Sequence, residues 1–466
     1  MQLEAPLRRS KVSGGCEGVS YHTMVQADTP SPPHHPSLTT ANKGTKDIPA
    51  AGPSLRGRVL IIVQNLPVPF DRRVWHECSA LKEAGHDVAV ICPKAPGDPS
   101  FSILDGVELY KYAPYAPGSS KLSFVAEYAY SFLATARLVK KAARAGRFDV
   151  VQACNPPDIF WPLGWLMRHL HGSSFLFDHH DLCPELFRSR FPNGPSPVHA
   201  LLLWLERRTV STADHVIATN ESYRSVDVNR NGAASEKVTV VRNGPDPSRL
   251  RPVPPSPELR RGRDHLVAYI GVMGPQDGVD NVLKAADIIV HELGRTDISF
   301  TLVGSGDCWA DLLTLRDRLA LGDFVQMTGR VPDDIVIDVL STADLGISPD
   351  PKNPLNDVST MNKTMEYMAF GIPVVAFDLL ETRISAGDAG VYATPNDVTE
   401  LARLVVDLVD DEPRRKVMGA TGRARVEKEL AWPLQAHRYV RTYEQLVATS
   451  ASRQQARGQR LPLSVA

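Results

Sequence analysis

Apolar runs separated by amphipathic segments organise the chain from residue 58 onward. The first run, Arg58–Val63, is apolar after its arginine, and a segment with helical spacing of apolar residues follows from Asp71 to Ala84, where Gly85 ends it. A second run covers Asp87–Cys92. Continuous apolar runs are typical of strands that are buried on both faces. The order strand, helix, strand therefore predicts a β-α-β unit with parallel strands.

The same alternation continues through two halves of the chain and predicts an α/β fold of two doubly wound, Rossmann-like parallel-sheet domains that face a cleft. Further strands are predicted at 148–154, 174–177, 214–219 and 237–242, and then at 266–271, 300–306, 324–331, 343–349 and 374–376. The predicted division is a disordered tail (1–56), a first domain (57–251), a linker rich in Pro and Arg (252–264), a second domain (265–430), a helix (431–450) and a flexible tail (451–466).

One short helix, predicted from Met361 to Phe370, carries the clearest candidate chemistry. Ser359 or Thr360 is its expected N-cap, and Gly371 its stop. Backbone N–H groups at its start, around Met361 and Asn362, form an anion site to which Lys363 would add a full charge.

Glu366 follows Lys363 on the same face of this helix, where a carboxylate can accept hydrogen bonds from both hydroxyls of a ribose. The alternative is a surface ion pair between Lys363 and Glu366, worth only about 0.2–0.5 kcal/mol.

A cluster of titratable groups, Asp178-His-His-Asp181, follows the predicted strand 174–177. Ligands of open α/β sheets bind at the carboxyl ends of strands, so we assign this cluster a site role. His180 is the favoured member, Asp181 its neighbour, and His179 the reserve.

Composition and charge narrow the class of protein. The chain has 466 residues, of which 43% are apolar and 23% charged, and its formal net charge is −1, so no global field favours nucleic acid. The six cysteines form no C-x-x-C pair, which fits reduced thiols in the cytoplasm, and no metal site is legible. The sequence contains no stretch of about 18 apolar residues, so no membrane-spanning helix is predicted. A basic amphipathic helix predicted at Ser119–Arg147 could still lie on an anionic bilayer; the alternative is a helix that faces the core.

The segment Glu366–Ala376, E-Y-M-A-F-G-I-P-V-V-A, resembles the signature E-A-M-A-x-G-x-P-V-V-A of family-4 retaining glycosyltransferases of the GT-B fold. The phrases Gly85–Pro93, His180-Asp181 and Asn243–Asp246 are similar to phrases of the same family. The resemblance implies transfer of a sugar from a nucleotide-sugar to a glycan or lipid-linked acceptor, in exopolysaccharide or cell-envelope synthesis. It places the protein in the cytoplasm, with peripheral contact at the inner face of the cell membrane as an option. It implies that no cofactor is required, although a divalent ion could take part. It also implies that the last helix crosses back to the first domain.

By the same resemblance, Glu366 holds the nucleotide ribose and His180 approaches the donor sugar. Gly271 and Gly274 allow the backbone close to the donor, and the loop with Arg330 and Val331 seats the base. The acceptor side is expected to use Asp71, Arg72, Arg73, Asn155 and His179. Capping of a helix by Asp71 is the alternative for the first of these.

Two departures from the family pattern stand out. A glutamate near the donor sugar is replaced by Val358, which leaves Asp357 as the nearest substitute and Ser359 as the next. The family's Arg and Lys are missing around Met273 and Asp277, so Lys363, with Arg330, would have to offset the diphosphate charge. A sugar-nucleotide epimerase and a non-catalytic sugar-nucleotide-binding protein are therefore kept as alternatives.

Overall fold

Two parallel sheets, each covered by helices on both faces, form the protein, as the apolar runs predict. The computed structural model describes residues 56–115 and 121–458; the predicted disordered tail lies, except for its last residue, outside them. The first sheet has the order β3-β4-β2-β1-β5-β6-β7-β8. Its strands are β1 (Arg58–Ile62), β2 (Asp87–Pro93), β3 (Phe101–Leu104), β4 (Val107–Tyr112), β5 (Val150–Cys154), β6 (Ser174–His179), β7 (His215–Ala218) and β8 (Val238–Val240).

Every pairing in this sheet is parallel except that of β3 with β4. The β3–β4 hairpin was not predicted, because its first strand is half exposed and has no continuous apolar run. The helices of this domain are α1 (Arg72–Glu83), α2 (Lys121–Ala142), α3 (Trp161–His171), α4 (Cys183–Arg190), α5 (Ser196–Thr212) and α6 (Glu221–Asn229).

The second sheet has the order β11-β10-β9-β12-β13-β14, with parallel pairing throughout. Its strands are β9 (His265–Ile270), β10 (Ile298–Val303), β11 (Val325–Gly329), β12 (Leu345–Ser348), β13 (Val374–Phe377) and β14 (Gly390–Ala393), and its helices are α7 (Val279–Asp287), α8 (Trp309–Arg318), α9 (Asp333–Thr342), α10 (Asn362–Ala369), α11 (Leu380–Ala386), α12 (Val398–Asp410) and α13 (Glu412–Arg425). The edge strand β14 was not among the predicted strands.

The last helix, α14 (Trp432–Gly458), packs on the first domain. Tyr439 and Tyr443 are fully buried in the same apolar cluster as β1. The helix continues to Gly458, past the predicted end at 450, because its last turns have partners: Arg453 Nη2 lies 2.6 Å from Asp214 Oδ1. Residues 459–466 of the predicted flexible tail lie outside the described residues.

The connector between the two sheets lies along the second domain. The backbone N–H of Val253 donates to Ser341 Oγ at 3.0 Å, and that of Ser256 donates to Thr342 Oγ1 at 2.9 Å. Arg260 Nη1 lies 2.5 Å from Asp344 Oδ2. The predicted linker is therefore fixed to α9 and the start of β12 by hydrogen bonds and an ion pair.

Candidate active site

The carboxyl ends of the two sheets face each other, and side chains from both domains bridge the cleft between them. Arg72 Nη2 lies 2.6 Å from Asp333 Oδ1, and the Arg330 guanidinium lies 5.3 Å from the ring centroid of Phe70. Asn220, which caps α6, donates to the carbonyl oxygen of Val358 at 2.9 Å. The predicted donor-side and acceptor-side residues are therefore the two walls of one cleft.

The start of α10 has no side-chain cap. Met361 occupies the N-cap position, and no side chain accepts a hydrogen bond there. Ser359 and Thr360, the predicted caps, are engaged elsewhere: Ser359 Oγ lies 3.0 Å from the Tyr223 hydroxyl, and Thr360 Oγ1 accepts from Asn220 at 3.0 Å. The first backbone N–H groups of α10 are thus left for an anionic ligand, in line with the anion site that the sequence predicts.

Lys363 pairs with Asp350, and not with Glu366. Its Nζ lies 2.6 Å from Asp350 Oδ1, and both side chains are buried, with exposed fractions of 8% and 1%. Asp350 lies two residues after the end of β12 and also accepts a hydrogen bond from Ser348 Oγ at 2.5 Å. The surface ion pair between Lys363 and Glu366 is therefore not formed, because burial of the ammonium group requires a carboxylate that is buried with it.

Glu366 lies partly buried on the cleft side of α10, and its carboxylate makes no hydrogen bond or ion pair with any described residue. Burial raises the pKa of Glu366, while Arg72 and Arg249 oppose that rise. A carboxylate held in this way can accept two hydrogen bonds from a diol.

The loop after β9 lies against the loop after β10 without space for side chains between them. A Cβ on Gly304, whose φ is +133°, would lie 1.8 Å from the carbonyl oxygen of Gly271. Gly271 itself has φ +149° and would place a Cβ 3.3 Å from Lys363 Cε. Bare backbone at these positions brings the loop next to the Lys363–Asp350 pair.

Asp277 adds a carboxylate to this loop and accepts a hydrogen bond from the backbone N–H of Gly274 at 2.9 Å. Burial raises the pKa of Asp277 to about 6, against the charges of Lys363 and Arg190. Met273 is fully buried in the core of the second domain. The loop therefore contributes a carboxylate and no cation to the donor side.

Val358 faces the first domain. It packs, together with Leu355, against the apolar cluster that contains Tyr223 and Leu182. The neighbouring Asp357 accepts a hydrogen bond from the backbone N–H of Leu380 at 2.9 Å and lies 3.2 Å from Lys352 Nζ. These contacts fix the segment that leads into α10. They leave the Asp357 carboxylate occupied within the second domain, so a catalytic role for Asp357 would require it to exchange these partners.

The two adjacent histidines have opposite environments, since His179 is the last residue of β6 and His180 begins the loop that follows it. His179 is fully buried, and its Nδ1 lies 2.9 Å from Asp227 Oδ1. Burial lowers its pKa, but Asp227 and Glu206 outweigh burial and raise the pKa of His179 to about 10. His180 lies at the cleft, and its Nε2 is 2.5 Å from Asp178 Oδ2. The structure therefore places His180 in the site and His179 beneath it.

Arg73, predicted on the acceptor side, lies beneath His180. Its Nη2 is 2.9 Å from Asp178 Oδ1, its Nε is 2.9 Å from His180 Nε2, and its Nη1 donates to the carbonyl oxygen of Val241. Burial opposes ionisation of Asp178, yet Arg73 and His180 hold the pKa of that carboxyl well below its usual range. Arg73 thus fixes Asp178, which in turn orients the His180 ring.

The same cluster brings three possible metal ligands together, with the ligand atoms of Cys154, Asp178 and His180 within 4.8 Å of one another. The Arg73 guanidinium already lies among them and is hydrogen-bonded to Asp178. A cation of the protein therefore balances this carboxylate, and a metal ion would have to displace it.

The remaining candidates of the first domain lie at the start of α1 and in the loop after β6, where most of their polar atoms have partners within the domain. Asp71 caps α1 through Oδ1, which accepts from the Val74 backbone N–H at 3.1 Å, and burial raises its pKa. Asn155 Oδ1 accepts from the backbone N–H groups of His180 and Asp181, and Asn155 Nδ2 donates to the carbonyl oxygen of Asp181 at 2.6 Å. Asn155 therefore positions the loop after β6. Asp181 is partly buried there, and burial raises the pKa of its carboxyl.

Two residues were predicted to lie in the loop that seats the nucleotide base. Arg330 is exposed at the cleft edge, and Val331 packs against the apolar cluster around β9 and α10.

Sequence reasoning missed the polar residues Asp350, Arg190 and Asn220. Asp350 and Asn220 each lie two residues after the end of a strand, at the carboxyl edge where ligands bind, and this position was a usable signal. Arg190 ends α4 and lies 3.8 Å from Asp307 of the second domain. No local pattern marks it, because its role depends on the placement of the other domain.

Comparisons with known proteins agree with this arrangement. Residues 71–249 match the family described as Glycosyltransferase Family 4, and residues 264–411 match Glycosyl transferases group 1. Over 331 residues the chain is 25% identical to a D-inositol 3-phosphate glycosyltransferase from Thermobispora bispora, covering 67% of this chain and 74% of the relative.

Solved structures show the same fold. Sucrose-phosphate synthase from Thermosynechococcus elongatus superposes with a TM-score of 0.69 at 18% identity, over 84% of this chain and 100% of that one. HepE from Anabaena, in complex with UDP and glucose, superposes with a TM-score of 0.63 at 16% identity, over 84% and 100%. The matched ranges, the two parallel sheets and the shared fold lead to one conclusion: the chain is a glycosyltransferase of family 4, with the GT-B fold.

Proposed function

We propose that the protein transfers a sugar, with retention of configuration, from a nucleotide-sugar to a hydroxyl of a glycan or lipid-linked acceptor in exopolysaccharide or cell-envelope synthesis. The observation that carries the proposal is the cleft wall at α10. An uncapped helix start and the Glu366 carboxylate, which has no partner among the described residues, lie on the wall opposite His180. That wall suits a diphosphate followed by a ribose. The UDP complex of HepE is known for a protein of the same fold.

In the proposed reaction the donor diphosphate leaves from the face on which the acceptor arrives. The leaving phosphate oxygen takes the acceptor proton, so no protein nucleophile is needed. The α10 N–H groups and Lys363 stabilise the charge that develops on the diphosphate. His180, held by Asp178, contacts the donor sugar.

The proposal is tested by calorimetry of the full chain with UDP-, GDP- and ADP-sugars, followed by product analysis with and without a glycan acceptor. Binding of one donor class and transfer with retention are expected. Release of an isomerised sugar nucleotide without an acceptor would identify an epimerase instead, and binding without turnover on any acceptor would identify a binding protein.

Glu366→Gln is expected to weaken binding of the nucleotide-sugar by about 1.5–3 kcal/mol, because hydrogen bonds to a charged carboxylate are lost while the shape is kept. The melting temperature is expected to stay the same, since Glu366 has no partner in the described structure. Calorimetry of variant and wild type with the nucleotide and with its nucleobase alone measures this. Equal nucleotide affinity in the two proteins would contradict the ribose role.

A lipid-linked acceptor is supported by an apolar surface on the first domain. Large apolar side chains on α3 and α5 are exposed, Leu170 by 62%, Leu201 by 53% and Trp204 by 51%. The two helices touch through Trp161 and Trp204. Exposed basic residues of α2, of the segment that follows it and of α5 lie in the same domain: Arg137, Lys140, Lys141, Arg144, Arg147, Arg207 and Arg208. Within the described residues no helix has the length and apolar content to cross a bilayer. We therefore propose peripheral contact with an anionic membrane surface.

The double variant Leu170→Glu/Leu201→Glu is expected to sediment at least tenfold less with phosphatidylcholine–phosphatidylglycerol vesicles than the wild type. Removal of each buried leucine from the bilayer costs about 1.5–3 kcal/mol, and each glutamate adds repulsion. The matched control is Val417→Glu, since Val417 is 67% exposed on the second domain. Equal sedimentation of the double variant and the control would show that this surface does not bind lipid.

A further inference from the structure

The donor side of the cleft contains more carboxylates than cations. Asp277, Asp350 and Glu366 belong to the second domain and surround the place where α10 begins. Lys363, the cation of α10, is already paired with Asp350 at 2.6 Å. A diphosphate placed here would meet a wall that is close to neutral or negative, and this would be costly without a further cation.

Arg190 is in a position to provide that cation from the first domain. It is the last residue of α4, and α4 contacts the turn Pro275–Asp277 of the second domain. Burial raises the pKa of Asp277 on one wall and that of Asp181 on the other, and the charge of Arg190 is among those that oppose both rises. Its guanidinium therefore lies between the two walls, near the loop that carries Asp277.

The ion pair that Arg190 makes across the cleft is loose. Its Nη2 lies 3.8 Å from Asp307 Oδ2, and the two side chains are 18% and 17% exposed. Asp307 follows the glycine turn after β10, and Gly304 of that turn packs against the backbone of Gly271. A phosphate group, with more charge and more acceptor oxygens than a carboxylate, could replace Asp307 as one partner of Arg190.

We propose that Arg190 binds the diphosphate of the donor across the cleft, so that the anion itself joins the two domains. This inference rests on the proposed function and adds a residue to its donor site. It explains how a donor loop without Arg or Lys can bind a negatively charged ligand, because the positive charge comes from the opposite domain. Diphosphate binding and closure of the cleft are then one event, because Arg190 and α10 belong to different domains.

The test compares Arg190→Gln with Arg188→Gln in the full chain. Arg188 lies on the same helix, but its Nη1 donates to the carbonyl oxygen of Gly194 within the first domain. Calorimetry with UDP, GDP and ADP, and with the matching nucleosides, is expected to give a diphosphate affinity about tenfold to a hundredfold lower for Arg190→Gln alone. Nucleoside affinity is expected to be equal in all three proteins, and salt is expected to weaken the wild type more than Arg190→Gln.

Two further measurements sharpen the test. Arg190→Lys is expected to recover part of the diphosphate affinity, since it keeps the charge but not the planar fork. Asp307→Asn is expected to bind diphosphate as tightly as the wild type or more tightly, because a competing anion is removed. Equal diphosphate affinity of Arg190→Gln and the wild type would overturn the inference and leave the proposed function intact. A wild type that binds none of the three diphosphates would overturn both.

Discussion

Replacement of His180 by alanine is expected to lower kcat by about 10²- to 10³-fold, the usual cost of removing one preorganised polar group from a transition state. The ring is held at 2.5 Å from Asp178, and Asp178 is in turn held by Arg73. It is therefore oriented before the donor arrives. The variant is expected to bind nucleotide diphosphate as the wild type does, since the proposed diphosphate site at the start of α10 is on the opposite wall. Steady-state kinetics and calorimetry on the same preparation measure both quantities.

The adjacent His179 provides the control. His179→Ala leaves the buried Asp227 without its cation, whereas Glu206 keeps its ion pair with Arg230, and the variant is expected to reduce the free energy of unfolding by about 3–5 kcal/mol. The pKa of His179 is raised to about 10 in the folded state. Its contribution to stability is therefore complete below about pH 6.5, the unfolded value, and is lost as the pH rises toward 10. The wild type should lose this contribution over that range, and His179→Ala should not.

A His180→Ala variant with full turnover would contradict the first prediction and would place the catalytic group elsewhere.

Lys363→Met is expected to reduce both stability and affinity for the donor diphosphate. The variant leaves the buried Asp350 without its cation, which should cost about 3–5 kcal/mol of unfolding free energy. Loss of a charge-assisted contact should weaken diphosphate binding by about 1.5–3 kcal/mol. Denaturant unfolding and calorimetry with UDP, GDP and ADP measure the two effects.

A second substitution separates the two effects. In Lys363→Met/Asp350→Asn no buried charge is left unpaired, and the asparagine can still accept the hydrogen bond from Ser348. Stability is expected to return toward that of the wild type, while diphosphate affinity stays low. If the double variant binds diphosphate as tightly as the wild type, Lys363 belongs to the structure of the site and not to its ligand contacts. Arg190 would then be the principal cation.

Local pattern was sufficient for the fold and for most of its elements, but not for the β3–β4 hairpin or the edge strand β14. Buried parallel strands are apolar on both faces, so runs such as Arg58–Val63 can be recognised without any partner. The hairpin Phe101–Tyr112 lacks that signal, because one of its strands is half exposed at the sheet edge. The start of α10 was predicted to within a residue, although its predicted caps have other partners.

The partners of the charged side chains could not be predicted in the same way. Lys363 could reach Glu366 along its own helix, but in the structure it pairs with Asp350, 13 residues earlier, because only Asp350 is buried with it. Arg73 and Asp178 are 105 residues apart in sequence, and the sheet brings them into contact beneath His180. Electrostatic energy depends on distance in space and on burial, and the sequence alone gives neither.

The sequence by itself determined the two-domain α/β fold, the α10 motif and the cluster at the end of β6, since each depends on spacing within a short segment. Only the tertiary structure decided that His180 faces the cleft while His179 pairs with Asp227, that Val358 packs on the first domain, and that Arg190 crosses to the second. The physical reason is common to all three. Each outcome depends on which side chains are buried together when distant segments pack, and that is a property of the assembled fold.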